Sequence, residues 1–336
     1  MRLFFFILLI LCLYDTHAQR DDFAHINFNK ADKIAASLKG ENLSNLPNLS
    51  YKLTAELDSE VEQFRSIYKW VCENIANDYN LYFQNKRKRD RFKNDSLKFT
   101  NWNAIFRKKL FRKLLKDQRT ICTGYAYLVK ELARFANLEC EIVQGYGRVS
   151  TTDIENLELP NHSWNAIKLN NKWYLCDPTW ASGIPDPESN IFTFNYNDGF
   201  FLANPALFAI NHFPIEDKWW LMDDRIPTFE NFLASPIIYG KAYKNLATHY
   251  LPVKMHHIIK ETEKVIFRYE LHQPISKNDI KFYIDSGYKQ WKTEPTHTAI
   301  KGKLMSLEHQ FNKKGFYDVH LYIDEDLIST YTVKVE

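Results

Sequence analysis

The chain has 336 residues, 45% of them hydrophobic, 25% charged and 15% aromatic. That balance excludes a disordered, collagen-like or wholly membrane-embedded protein. The net charge of +3 implies no polyanionic partner by itself, five cysteines are too few for a disulfide scaffold, and the length fits two domains.

Residues 1–18 read as a signal peptide. Arg2 supplies the positive start, and residues 3–13 form an apolar run too short to span a bilayer. Thr16-His17-Ala18 offers small residues at a cleavage site. A lipoprotein signal at Cys12 is the weaker alternative, because bulky Leu11 precedes it. No later apolar run is long enough to anchor the chain. The expectation is a secreted or periplasmic protein with no membrane anchor once the leader is cut.

Residues 19–55 are polar, with a helical signal near 31–38. The clearest helix follows, where Val61, Phe64, Ile67, Tyr68, Val71, Cys72 and Ile75 recur at helical spacing. Ser59 and Glu62 form a capping-box pattern at its start. Cys72, on the apolar stripe, reads as a buried structural thiol.

Residues 86–119 hold 14 Lys or Arg against Asp90, Asp95 and Asp117, a local net of 14 − 3 = +11. The remainder is then 3 − 11 = −8. Ile105, Phe106, Leu110, Phe111, Leu114 and Leu115 predict one apolar helix face, opposite Arg107, Lys108, Lys109, Arg112, Lys113 and Lys116. The plain reading is a solvated basic face; the sharper ones are an acidic partner or an anionic surface. No stacking aromatics interleave the basic face, which argues against nucleic acid.

A helix is predicted over 123–137 and a strand over 141–148, where Gly145 and Gly147 permit close backbone approach. A polar loop covers 149–161. Strands at His162–Leu169 and 172–177 follow, joined by Asn170-Asn171, which suits a two-residue hairpin turn. Residues 178–250 show little periodicity. From 251 to 336 the β runs Lys264–Leu271, Ile280–Asp285, 298–307 and two within 316–335 predict a small all-β sandwich-like domain.

Three residues carry the chemistry. Cys122 stands where a loop enters a helix, and the helix dipole there favours a thiolate, the form able to attack a carbonyl. In a two-residue hairpin, paired positions sum to 341, so Trp164 opposes Asp177. His162 shares a face with Trp164 and therefore with Asp177, a diagonal neighbour roughly 7–8 Å away at the backbone. Nucleophile, acid/base and orienter make a generalised triad of Cys122, His162 and Asp177. The bland alternative for Asp177 is a turn residue before Pro178. The aromatic residues nearby, Trp164, Trp180 and Tyr125, are the expected substrate-binding set.

The motifs Cys122-Thr123-Gly124-Tyr125-Ala126, His162-Ser163-Trp164-Asn165 and Asp177-Pro178-Thr179-Trp180 resemble those of the transglutaminase-like superfamily, with a closer resemblance to its kyphoscoliosis-peptidase-type branch. Arg65 to Val71, Phe201-Leu202-Ala203-Asn204-Pro205 and His212-Phe213-Pro214 extend it, so it covers about 58–222. The resemblance implies an α+β fold. Its papain-like, transglutaminase-like core packs the helix bearing the nucleophile on an antiparallel sheet, within 19–250. It implies acyl transfer at an amide, with the Cys122 N–H as one oxyanion donor and no second donor visible. Ser163, where alanine is common, and the basic insertion before Cys122 depart from the pattern.

The expected partner is a protein or peptide substrate, acidic if the basic segment meets it. Hydrolysis is expected ahead of cross-linking, since no amine-donor site is visible. A catalytically idle domain that binds extracellular protein, peptide or cell-wall material is the alternative. No cofactor and no metal are expected: Asp223-Asp224 alone is no calcium loop, and His256-His257 lacks zinc spacing. Cys140 and Cys176 could pair or remain two thiols, and both readings stay open. The sequon at Asn161 is expected to be unused, because a glycan would crowd His162.

Overall fold

A computed structural model describes residues 20–186, 189, 191–222 and 226–336. The predicted leader with Cys12, and Asp223-Asp224, lie outside the described residues. Helices α1 (Asn29–Ser37) and α2 (Leu46–Thr54) lead into α3 (Glu60–Asn74). Ser59 caps α3, its hydroxyl accepting from the Glu62 N–H at 3.4 Å. Glu62 departs from a full capping box, because its carboxylate accepts from the Ser59 hydroxyl itself. The stripe from Val61 to Cys72 is buried as its spacing requires.

The basic segment is a helical hairpin. Strand β1 (Ala76–Asn77) and strand β2 (Arg119–Thr120) pair in parallel and close its base. Between them run α4 (Tyr79–Phe92) and α5 (Ser96–Asp117), capped by Asp78 and Asp95. The predicted six-residue apolar face is too wide. Phe106, Leu110 and Leu114 are buried, whereas Ile105 and Leu115 are 64% and 54% exposed. α5 packs on one neighbouring helix and the edge of the domain, so only a narrow seam is covered.

Helix α6 (Cys122–Phe135) lies on an antiparallel sheet ordered β5-β4-β3-β8. Its strands are β3 (Cys140–Gly147), β4 (His162–Leu169), β5 (Lys172–Cys176) and β8 (His212–Pro214). Between them in sequence come a short helix, α7 (Pro178–Ser182), and a two-stranded pair, β6 (Gly183–Pro185) with β7 (Phe192–Phe194). This is the α+β arrangement expected. Asn170 and Asn171 both take positive φ, and Asn165 pairs with Cys176, so the register sums to 341.

The sheet-rich module begins ahead of residue 250. β9 (Ile237–Ile238) adds to one sheet and β10 (Leu246–Leu251) to the other. One sheet is ordered β10-β12-β16-β15, the other β11-β18-β17-β13-β14. These strands are β11 (His256–Ile259), β12 (Lys264–Leu271), β13 (Ile280–Asp285), β14 (Gln290–Thr293), β15 (His297–Lys301), β16 (Leu304–Gln310), β17 (Gly315–Ile323) and β18 (Asp326–Val335). Alternate residues such as Val265, Phe267, Tyr269 and Leu271 face the core, as in a sandwich. The run predicted at 298–307 is a hairpin, turned by Gly302 at φ +58.

Candidate active site

Cys122 is the first residue of α6 and 7% exposed. Ile121, its cap, offers no side-chain acceptor, so the helix presents first-turn N–H groups at the thiol. His162 opens β4, and Asp177 caps α7 immediately after β5. His162 Nε2 lies 2.6 Å from Asp177 Oδ2. The other ring nitrogen is left for Cys122, which is near enough for the two groups to shift one another's pKa.

Both readings of Asp177 hold at once. Oδ1 accepts from the Thr179 and Trp180 N–H groups at 2.8 and 3.0 Å, starting the turn, while Oδ2 serves the histidine. α3 fixes the backbone here: the Tyr68 hydroxyl reaches the carbonyls of Asp177 and Phe200 at 2.9 and 3.0 Å. Asp177 is fully buried, and its donors satisfy the carboxylate.

The charges are coupled. Burial alone would raise the Asp177 pKa, but His162 and His212 hold it well below the usual carboxylate range. Burial alone would lower that of His162; the Asp177 charge and the Cys122 thiolate overcome this and raise it to about 10. Burial would raise that of Cys122, yet the His162 hydrogen bond and charge, with the Ser163 N–H, bring it below 9.0. Both shifts run in the direction that favours a thiolate beside an imidazolium.

His212 belongs to the His212-Phe213-Pro214 motif, and its own segment signals no role for it. β8 pairs with β3 and puts His212 Nε2 3.0 Å from the same Asp177 Oδ2. It is buried and stacked on Phe208 at 3.6 Å. Burial and the His162 charge lower its pKa to about 4, the Asp177 bond only partly offsetting them. His162, Asp177 and His212 are the described residues grouped closely enough to suggest a metal. Their ring nitrogens sit at hydrogen-bond distance from Oδ2, nearer than the ~3.4 Å between two ligands of a tetrahedral ion. Both contacts are spent on hydrogen bonds to the carboxylate.

A cleft of about 600 Å³ opens on Cys122 and His162. Trp180 lines it and stacks on His162 at 4.7 Å. The other two expected substrate contacts are corrected. Trp164 is 1% exposed and packs beneath the site against Phe208 and His212. Tyr125 is fully buried, one turn into a helix enclosed by α3 and α7, and donates to the Ile75 carbonyl.

The two glycines of β3 act as expected. A Cβ on Gly145 would lie 2.2 Å from the Phe213 carbonyl, and one on Gly147 would lie 2.9 Å from His162. The Asn161 amide is spent on Gly147, accepting its N–H at 2.7 Å and donating to its carbonyl at 2.9 Å. Cys72, Cys122, Cys140 and Cys176 are all free and buried, so Cys140 and Cys176 are two thiols. Burial raises the pKa of Cys72, Cys140 and Cys176, unlike that of Cys122.

Residues 47–178, which contain Cys122, His162 and Asp177, match the model of the transglutaminase-like superfamily. The chain carries a transglutaminase-like domain. Kyphoscoliosis peptidase of Mus musculus and that of Homo sapiens are each 32% identical over 209 residues, 61% of this chain and 28% of theirs. The chain thus spans under a third of the length of these curated relatives. A solved transglutaminase is 16% identical, covering 54% of this chain and 40% of its own, at a TM-score of 0.29. No helix among the described residues is long and apolar enough to cross a membrane.

Proposed function

We propose that this transglutaminase-like domain is a cysteine acyl-transfer enzyme acting on peptide or protein amides, hydrolysis being the main outcome. The observation that carries this reading is His162, hydrogen-bonded to buried Asp177 on one side and facing Cys122 in one cleft on the other. The Cys122 thiolate attacks the carbonyl carbon, and the π electrons move onto oxygen. The Cys122 N–H and the Gln144 amide receive that oxyanion. Gln144 lines the cleft, and the Ser163 hydroxyl engages its Oε1 at 3.0 Å, leaving the amide N–H groups for substrate. As the tetrahedral adduct collapses, His162 gives its proton to the departing amine. Water then attacks the acyl-enzyme with neutral His162 as base.

The basic hairpin supports an acidic protein or peptide as partner, because α4 forms one wall of the cleft. Binding that is unchanged by raised salt would remove that part of the proposal. Export rests on the leader-like residues 1–18 and is tested by N-terminal sequencing of the protein recovered outside the cell. For the reaction, wild type and Cys122→Ala are compared on a peptide library, with cleavage, ammonia release and cross-links read separately. Cleavage lost in Cys122→Ala is the expected result. Turnover equal in the two proteins, or absent from both, removes the enzyme reading.

A further inference from the structure

We propose that Arg89 is a specificity-determining residue that receives a substrate carboxylate in the cleft; the inference rests on the acyl-transfer reading above. Arg89 stands on α4, lines the cleft with Cys122, and is half-buried. It makes no ion pair among the described residues, and its Nε is buried with no hydrogen-bond partner.

Other sheltered cations are engaged, whereas Lys88, which has ring contacts alone, is not among the residues lining the cleft. Arg65 meets Asp32 and Asp198, Lys113 meets Asp78, and Lys130 meets Glu141. Arg148 donates to the carbonyls of Ser235 and Pro236. An unmatched guanidinium in a part-desolvated wall is costly unless something fills its fork, and a carboxylate fits that fork in two places.

The setting favours an anion from substrate. Arg89 lies over the Phe99 ring at 5.3 Å, which limits where its head can go. It is close enough to Cys122 for the two charges to influence one another. The acidic residues lining the cleft are engaged: Asp90 pairs with Lys86 at 3.0 Å, and Asp153 accepts from Asn156 at 2.8 Å. The ligand class is therefore an acidic side chain, or a peptide's own carboxylate, near the scissile amide.

Two thiol probes of equal shape test this, N-chloroacetyl-Glu-amide and N-chloroacetyl-Gln-amide, with Cys122 alkylation followed by mass spectrometry. A partly screened charge-assisted pair predicts that the Glu probe reacts about fivefold faster in wild type at low salt. In Arg89→Gln the ratio falls to about one, and Arg89→Lys recovers part of it. An unchanged ratio in Arg89→Gln overturns the proposal. So does equal slowing of both probes with the ratio kept, since Arg89 would then serve only the thiolate.

Binding of acetyl-(Gly-Glu)3-amide against acetyl-(Gly-Gln)3-amide to Cys122→Ala, with and without Arg89→Gln, separates the two ideas. Preference for the acidic peptide that depends on Arg89, beside an unreactive Cys122 in wild type, removes the enzyme and leaves the carboxylate site. No preference removes the site alone.

Discussion

His212 Nε2 lies 3.0 Å from Asp177 Oδ2, the oxygen that His162 reaches at 2.6 Å. One carboxylate oxygen thus serves two imidazoles, and they differ in charge. His162 is held protonated by Asp177 and Cys122, whereas His212 is held neutral chiefly by burial. His212 Nε2–H donates to the carboxylate and so fixes where Asp177 points, while Nδ1 lies 3.2 Å from the Phe208 carbonyl.

This arrangement has a stability consequence with a definite sign. The folded His212 pKa is about 4, below its ordinary 6.5. Between those values the unfolded chain takes up a proton that the folded protein refuses, so stability falls as pH drops. The His212 contribution between pH 7 and 5 is about 2 kcal/mol. Urea unfolding at the two pH values should show a smaller loss in His212→Gln than in wild type by that amount. Equal losses would mean that His212 is not buried neutral.

Gly147→Ala tests how tightly the base is seated. The added Cβ would meet His162 Cβ and Cγ at 2.9 Å, and overpacking of this kind costs about 1–3 kcal/mol. Displacing the imidazole also releases the thiolate, so Cys122 labelling at neutral pH should slow about tenfold. Labelling at the wild-type rate would show that the histidine yields without leaving the cysteine.

Tyr68→Phe probes the support beneath the aspartate. The lost hydroxyl removes one donor, while the Asp177 carbonyl keeps the Ala181 N–H and the Phe200 carbonyl keeps the Asp177 N–H. The expected cost is about 0.5–1.5 kcal/mol in denaturant unfolding. Activity should fall by less than in Asp177→Asn, because the Oδ contacts remain. No change in stability would show that the Tyr68 bond contributes nothing net.

Much of the site was legible because it is local. The Asn170-Asn171 turn fixed the parity of one hairpin, which placed His162 and Asp177 on the same face, and Cys122 marked its own helix start. What was not legible depends on long-range packing. His212 acquires its role only when β8 adds to β3, and nothing within its own segment signals that pairing. Trp164 and Tyr125 were expected in the cleft because they flank triad residues. Aromatic identity does not say which side of a buried residue faces solvent, and both turn inward. The hairpin of α4 and α5 appeared as a charge run, but its place over the cleft follows from the β1–β2 closure.

The pH profile of Cys122 alkylation by iodoacetamide tests the central claim most directly. The account predicts that Cys122 of the native protein reacts ahead of Cys72, Cys140 and Cys176, at a rate that stays high below the ordinary thiol range near 9.0. It further predicts that His162→Ala shifts the profile up toward that range. A wild-type rate that rises only as pH approaches 9, and that is unmoved by His162→Ala, would contradict it.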